Sequence, residues 1–370
     1  MPDMSTRDVS DVADDPRQTA AVLPTLSLPV RARTRWALQV AQLAPSIHNS
    51  QPWRWHLGVP DDDASAVELR VDASRHLPAL DPDGRQQEIS CGCALGALLI
   101  GAAAAGLAVD TEIVPRGRPG VLARVTLTDA GVTSSAALDR LGALRSRRSS
   151  RGWFTDELVP PRLVAELART AALHGVSAVK VGNDDRGRDI LDHLIALATL
   201  TEYEGEAIPA EVLAWTREAD DRRRDGVPSF AWERTSRQTA DGAMVLRDFA
   251  AERDVPGAVD SPGSEPYPTL LLLSTPDDGR AAHLNAGLAL LDVLVAAERS
   301  GFSVGFVNQA VEDRGTRSRL TRELHTQRWP QLLLRIGRAV PGQHLTTPRR
   351  PLAQVLDAAH PVPGRRCTDA

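Results

Sequence analysis

Lysine is almost missing from this chain: Lys180 stands alone among 43 basic residues, and the others are arginine. Because Ala, Gly and Pro are abundant, this reads as the coding bias of a GC-rich genome, not as a functional feature. Cysteine is scarce too. Cys91, Cys93 and Cys367 fit neither a zinc site nor a disulfide framework, so a reducing cytoplasm is the expected setting. Positive charge is not in excess. A net charge of -5 argues against general binding to nucleic acid or to an anionic membrane. The sequence has no zinc-protease helix, Walker loop or dinucleotide fingerprint, and His283 and His325 lack partners at metal-ligand spacing. The polar, acidic stretch Met1–Arg17 lacks the basic and apolar parts of a signal peptide and reads as the start of a disordered tail over residues 1–25.

Long apolar runs are also few. Cys91 to Val109 is uncharged and near the length of a membrane span, with no second span expected. A helix apolar on every side equally suits the centre of a soluble fold, and burial is the expectation here. The 370 residues, 42 % of them hydrophobic, suffice for one large domain or two ordinary ones.

Two polar segments carry the chemistry. Ala44-Pro45-Ser46-Ile47-His48-Asn49-Ser50-Gln51-Pro52-Trp53-Arg54-Trp55 follows a helical run and precedes a strand-like one. Two prolines pin a loop of hydroxyl, imidazole and amide groups, and Trp53 and Trp55 can anchor it. It reads either as a rigid ligand-binding loop or as a capped turn with ordinary Asn and Ser chemistry. Arg145-Ser146-Arg147-Arg148-Ser149-Ser150-Arg151-Gly152-Trp153-Phe154 is either a solvated basic turn or an anion clamp, with forked guanidinium donors and serine hydroxyls. Arg349-Arg350-Pro351-Leu352 is a third basic candidate, or else part of a flexible tail over 346–370.

Together, the 44–55 and 147–154 motifs resemble those of the FMN-dependent nitroreductase family. Their reversed order and the chain length resemble the fused, two-half Acg-like branch. An internal repeat agrees. Asp83-Gly84-Arg85 through Val109 matches Asp278-Gly279-Arg280 through Val304 at a constant offset of 195, with Gly92 on Gly287 and Gly106 on Gly301. The expected fold is α+β: two nitroreductase-like halves fused as a pseudo-dimer, with antiparallel or mixed sheets flanked by helices. The halves are expected at 26–139 and 140–345. An insertion at 204–268, containing Trp215, Phe230 and Trp232, forms a lid or a surface excursion that braces the pseudo-dimer.

The first half has the Pro-Ser-x-x-Asn loop but, at Arg31–Arg35, only a remnant of the arginine motif. The second half has the arginines but no such loop. One FMN per chain follows, between the halves, with no dimer required. The resemblance implies that Arg147, Arg148 and Ser149 grip the flavin phosphate and that Arg151 approaches N1 and O2. It implies that Ser46, His48, Asn49 and Gln51 reach the ring or ribityl chain. Ser303, Val304 and Gly305 would lie by N5, with Asn308 and Gln309 weaker candidates, and Arg349 and Arg350 would fold back on the phosphate. No side-chain catalyst is expected, because the flavin carries the hydride. The implied activity moves hydride from NAD(P)H to a nitro, quinone or similar small-molecule acceptor. The alternatives are a non-catalytic protein that sequesters FMN under a lid, and a small-molecule binder without flavin.

Overall fold

The repeat in the sequence is a repeat of structure. A computed structural model describes residues 15–58, 64–152, 154–218, 220–228, 268–340 and 346–357. After a short helix, α1 (Pro16–Thr19), the first copy runs α2 (Val30–Ala41), β1 (Trp53–Leu57), β2 (Ala64–Val71), α3 (Arg85–Ala104), β3 (Leu107–Ile113) and β4 (Val121–Asp129). The second begins α4 (Ser135–Ser146), α5 (Pro161–Ala172) and β5 (Ser177–Val181). An excursion follows: α6 (Asp185–Tyr203), α7 (Ala207–Ala214), β6 (Thr216–Arg217) and β7 (Val227–Pro228). The copy resumes with β8 (Thr269–Thr275), α8 (Arg280–Arg299), β9 (Ser303–Phe306), α9 (Gln309–Glu312), α10 (Arg314–Glu323) and β10 (Trp329–Gly337), and β11 (Leu356–Asp357) comes last.

The two main sheets have the orders β11-β1-β2-β4-β3 and β5-β8-β10-β9. All their pairings are antiparallel except β1 with β11. The fold is thus α+β, with two similar halves whose sheets are antiparallel or mixed. Helices α3 and α8 begin and end at positions that keep the offset of 195. Both are long and apolar enough to cross a bilayer, so a second candidate span does exist, contrary to expectation. Most of each is buried inside the fold.

These helices cross at Gly92 and Gly287, which are repeat equivalents. A methyl group on Gly92 would lie 2.9 Å from Gly287 Cα, and one on Gly287 would lie 2.7 Å from Gly92 Cα. The backbones therefore touch where only glycine fits. Cys93 Sγ donates to Gly287 O across the same contact at 3.2 Å.

One helical turn away, Glu88 meets its own repeat equivalent, His283. His283 Nδ1 lies 2.9 Å from Glu88 and Nε2 lies 3.1 Å from Asp278, while Arg280 Nε donates to Glu88 at 2.7 Å. Burial alone would lower the His283 pKa, but the two carboxylates raise it above its ordinary value. Burial likewise opposes ionisation of Glu88, and its hydrogen bonds from His283 and Arg280 hold it below the usual carboxylate range. The sign follows by linkage. The imidazolium contributes stability below about pH 6.5, the ordinary histidine value, and loses it as pH rises through the raised folded pKa. Glu88 contributes above its ordinary range near pH 4 and loses it in acid. Urea midpoints from pH 5 to 9 should therefore decline on the alkaline side in the wild type, and His283→Gln should flatten that decline. A decline of the same slope in the variant would remove His283 from the account.

Two expected boundaries need correction. The half boundary at 139/140 falls inside α4, so the linker is the stretch before Ser135. The tail at 1–25 is ordered from residue 15: Trp36 Nε1 donates to Thr19 O and Val22 O, and Ala20 is buried. Residues 1–14 lie outside the described residues. The segment 346–357 folds back on the first half, where Trp55 N donates to Val355 O at 2.7 Å and β11 pairs with β1. Residues 358–370 lie outside.

The described part of the insertion, 204–228, braces the first half. Glu211 accepts from Ala79 N and Leu80 N, and Asp225 pairs with Arg75 and Arg217. Trp215 lies 5.1 Å from the Arg75 guanidinium and 5.6 Å from that of Arg217. Phe230, Trp232 and the stretch 229–267 lie outside the described residues.

Candidate functional site between the halves

Eleven residues separate α2 from β1, whereas four separate α5 from β5. That difference is the 44–55 loop. Trp53 and Trp55 are fully buried, and Trp53 Nε1 donates to Gln42 Oε1 at 2.9 Å. Between them and the helix, the backbone is forced into left-handed conformations at His48, Asn49 and Gln51, with φ of 46°, 53° and 51°. Such geometry costs on the order of 1–3 kcal/mol per residue and must be held from outside. Ser46 Oγ accepts from Gln51 N at 2.9 Å, and Ile47 N donates to Ser90 Oγ of α3 at 3.1 Å. Asn49 Nδ2 donates to Gly226 O and Pro348 O, which ties the loop to the insertion and the C-terminal segment.

The arginine segment arrives from the other half. It leaves α4 at Arg147, and Ser150 N donates to Val304 O of β9 at 2.9 Å. Arg335 of β10 supports the turn: its Nη2 donates to Gly152 O at 2.6 Å, and its guanidinium lies 4.4 Å over the Phe154 ring. Loop and turn enclose two joined cavities that share Pro45, Ser46, Ser149 and Arg151.

The smaller cavity is basic. Its walls include Arg17, Arg147, Arg148, Arg151 and Arg349. Its volume of about 30 Å³ exceeds the roughly 10–15 Å³ that one water needs. Burial pulls the Arg17, Arg147 and Arg151 guanidiniums down to about 10, with repulsion from Arg148 adding to the first two. Arg349 is lowered furthest, by burial and then by Arg17 and Arg147. With values of about 10, Arg17, Arg147 and Arg151 remain cations at neutral pH. The Nε atoms of Arg17, Arg147 and Arg349 are buried without a hydrogen-bond partner. Buried unpaired donors are costly, and three of the five arginines that line this small cavity carry one, so the site suits an anion.

The wider cavity, about 140 Å³, has apolar walls from Ile89, Leu290, Phe306 and Leu332 and polar groups from His48, Gln86, Asn308, Gln309 and Glu312. The Gln86 Nε2 donor is buried without a partner. An apolar slot with a few polar groups, opening into an anion site, fits a flat heterocycle bearing a phosphate.

No protein-family profile matches the chain. A Mycobacterium tuberculosis protein named "Putative NAD(P)H nitroreductase acg" is 30% identical over 329 residues, which cover 86% of this chain and 94% of that protein. The chain belongs to the nitroreductase family. An uncharacterised M. tuberculosis protein is also 30% identical, over 341 residues, covering 90% of this chain and 95% of its own. Among solved structures, a nitroreductase with bound FMN from Desulfitobacterium hafniense overlaps at 11% identity and a TM-score of 0.37, covering 60% of this chain and 98% of its own. The NfrA1 nitroreductase from B. subtilis overlaps at 14% identity and a TM-score of 0.34, covering 58% and 72%.

Within this nitroreductase-family chain, Ser46, His48, Asn49, Arg147, Arg148, Ser149, Arg151 and Arg349 converge on the joined cavities. Asn308 and Gln309 line the wider one. Five expected site residues lie behind the walls. Gln51 is spent on structure: its amide donates to Arg224 O and Asn49 O and accepts from Arg350 N. Arg350 in turn donates to Gln51 O and Gln354 O beside Asp72. Ser303, Val304 and Gly305 form the strand behind Ser149 and Ser150, where a methyl group on Gly305 would lie 2.7 Å from Ser150 O. Phe306, the next residue, is the one that reaches the cavity. Arg17, Gln86, Ser90, Glu312 and Arg335 line the site without having been expected there.

In the first-half remnant, Arg31 and Arg33 are committed to partners within the protein. Arg33 is buried and donates to Leu28 O, Ala105 O and Gly106 O while pairing with Asp129 at 2.9 Å. Arg31 donates to Gly58 O at 2.9 Å.

Proposed function

We propose that the chain binds FMN between its halves and acts as an NAD(P)H-dependent oxidoreductase on a small nitro, quinone or similar acceptor. The observation that carries this reading is the convergence of a loop from one half and arginines from the other on one basic cavity, with three buried guanidinium nitrogens lacking partners. Arg147, Arg148, Ser149 and Arg349 would hold the phosphate. Arg151, shared by both cavities, would place a cation at the polar edge of the ring, and Phe306, Ile89 and Leu290 would form its apolar walls. His48 and Ser46 would meet the ring or ribityl chain from the first half. When bound, flavin supplies two-electron chemistry that no side chain here provides. The relatives named as NAD(P)H nitroreductases support a nicotinamide donor and a small acceptor.

Purified protein should show flavin absorption, and NADH or NADPH should bleach it without oxygen. A colourless protein that gains no bands with added FMN sinks the reading. Bands that resist both nicotinamides would favour flavin storage instead. The described insertion residues, 204–228, brace the loop and do not line either cavity, so they give the storage reading no lid.

Stoichiometry is a separate expectation. With Arg31 and Arg33 committed to backbone carbonyls, flavin quantitation with light scattering should give one FMN per chain. Two per chain would require a second anion site.

A further inference from the structure

The basic cavity is closed by two segments that are remote in sequence. Arg17 Nη1, from the second residue of α1, donates to Thr347 O at 3.3 Å across a separation of 330 residues. Arg349 Nη1 donates to Thr347 Oγ1 at 2.6 Å and to Asn49 Oδ1 at 2.9 Å, and Arg148 Nε donates to Thr346 Oγ1 at 3.2 Å. Among the described residues, the 3.3 Å hydrogen bond from Arg17 joins the two segments, whose arginines repel each other. Asp15 and Glu298 are the carboxylates that act on the Arg17, Arg147 and Arg148 charges, against five arginines around the cavity. Yet Arg17 and Arg349, which line the cavity, each bury an Nε donor with no partner.

We propose that a phosphate monoester dianion completes this closure: Arg17 is a phosphate-binding residue, and the segments at 15–22 and 346–357, each already fixed to the first half, form a clasp that tightens over the cavity when the anion is bound. The phosphate of FMN, as proposed above, is the natural occupant. Inorganic phosphate shares its chemistry and tests the clasp independently of the flavin reading. Two negative charges offset the mutual repulsion of Arg17, Arg147, Arg148 and Arg349, and each charge-assisted hydrogen bond ties a separate segment to one centre. The ring cavity does not touch Arg17, so a flavin without its phosphate cannot drive the closure.

Hydrogen exchange on the full-length, flavin-stripped protein tests this, with FMN, riboflavin or inorganic phosphate added. FMN should slow exchange at 15–22 and 346–357 by tenfold or more, millimolar phosphate should do so more weakly, and riboflavin should leave both segments unchanged. Arg17→Ala should weaken FMN binding roughly tenfold, leave riboflavin binding unchanged and abolish the added protection at 15–22. Arg17→Lys should recover part of both. Unchanged exchange with FMN spectroscopically bound, or wild-type FMN affinity in Arg17→Ala, overturns the clasp. If the wild type binds no FMN, the flavin reading fails and the phosphate arm decides: protection of both segments upholds the clasp, and none overturns it.

Discussion

Arg147→Ala is expected to weaken FMN binding by roughly ten- to 150-fold, the range of one charge-assisted hydrogen bond at about 1.5–3 kcal/mol. The residue is 3 % exposed and lines the basic cavity, and its Nε is buried without a partner. Its protein contacts are weak: Nη1 reaches Ser149 Oγ at 3.4 Å and Nη2 reaches Leu43 O at 3.5 Å. A buried arginine held so loosely serves an external partner. The flavin-free protein should therefore behave in the opposite sense. Removing a desolvated cation beside Arg148 and Arg151 relieves repulsion, so the melting temperature of the stripped variant should stay level or rise. Fluorescence titration with FMN and a thermal melt of both stripped proteins separate the two effects. Wild-type flavin content in the variant takes Arg147 out of the phosphate site, and a large fall in stripped-protein stability makes it a structural residue.

Gly287→Ala should have the larger effect on folding. Overpacking a core typically costs about 1–3 kcal/mol when side chains can shift. Here the added methyl group would meet backbone, 2.7 Å from Gly92 Cα and 2.8 Å from Cys93 N, and neither can rotate away. Helices α3 and α8 must separate, which also disturbs the Glu88–His283 contact and the seam along which the cavities lie. The urea midpoint should fall by at least the upper end of that range, and flavin retention should fall with it. Gly142→Ala is the control, since a methyl group there meets nothing within 4 Å. Equal midpoints for the two variants would mean that the central crossing tolerates separation.

Sequence and structure agree best where a pattern has a backbone cause. The repeat was legible because glycines at fixed positions mark the helix crossing, and the loop at 44–55 because two prolines and two tryptophans leave it few conformations. The arginines at 147–151 were legible as a cluster. Arg17 was not, because a single cation in a polar stretch carries no pattern until Thr347 folds against it. Gln86 and Ser90 sit in the polar first turns of a helix that becomes apolar only from Cys91, and the incoming loop is what makes them part of a wall. Gln51 and Arg350 lie outside the cavity lining for the reverse reason. Their groups suit a ligand, but the insertion and the C-terminal segment reach them first. The insertion read as lid or brace resolves as brace over 204–228, where Asp225 holds Arg75 and Arg217.

The Glu88–His283 contact makes the halves non-interchangeable. Because the two positions are equivalent, two copies of the first half would set Glu88 against Glu88, and two copies of the second would set His283 against His283. Each self-pairing brings like charge or two unmatched imidazoles to a buried crossing, whereas the mixed pair neutralises itself. If the halves were expressed as separate polypeptides, the seam would select its partner and favour one of each over either homodimer. This one pair of side chains thus writes a recognition code into an interface whose backbone is nearly symmetric.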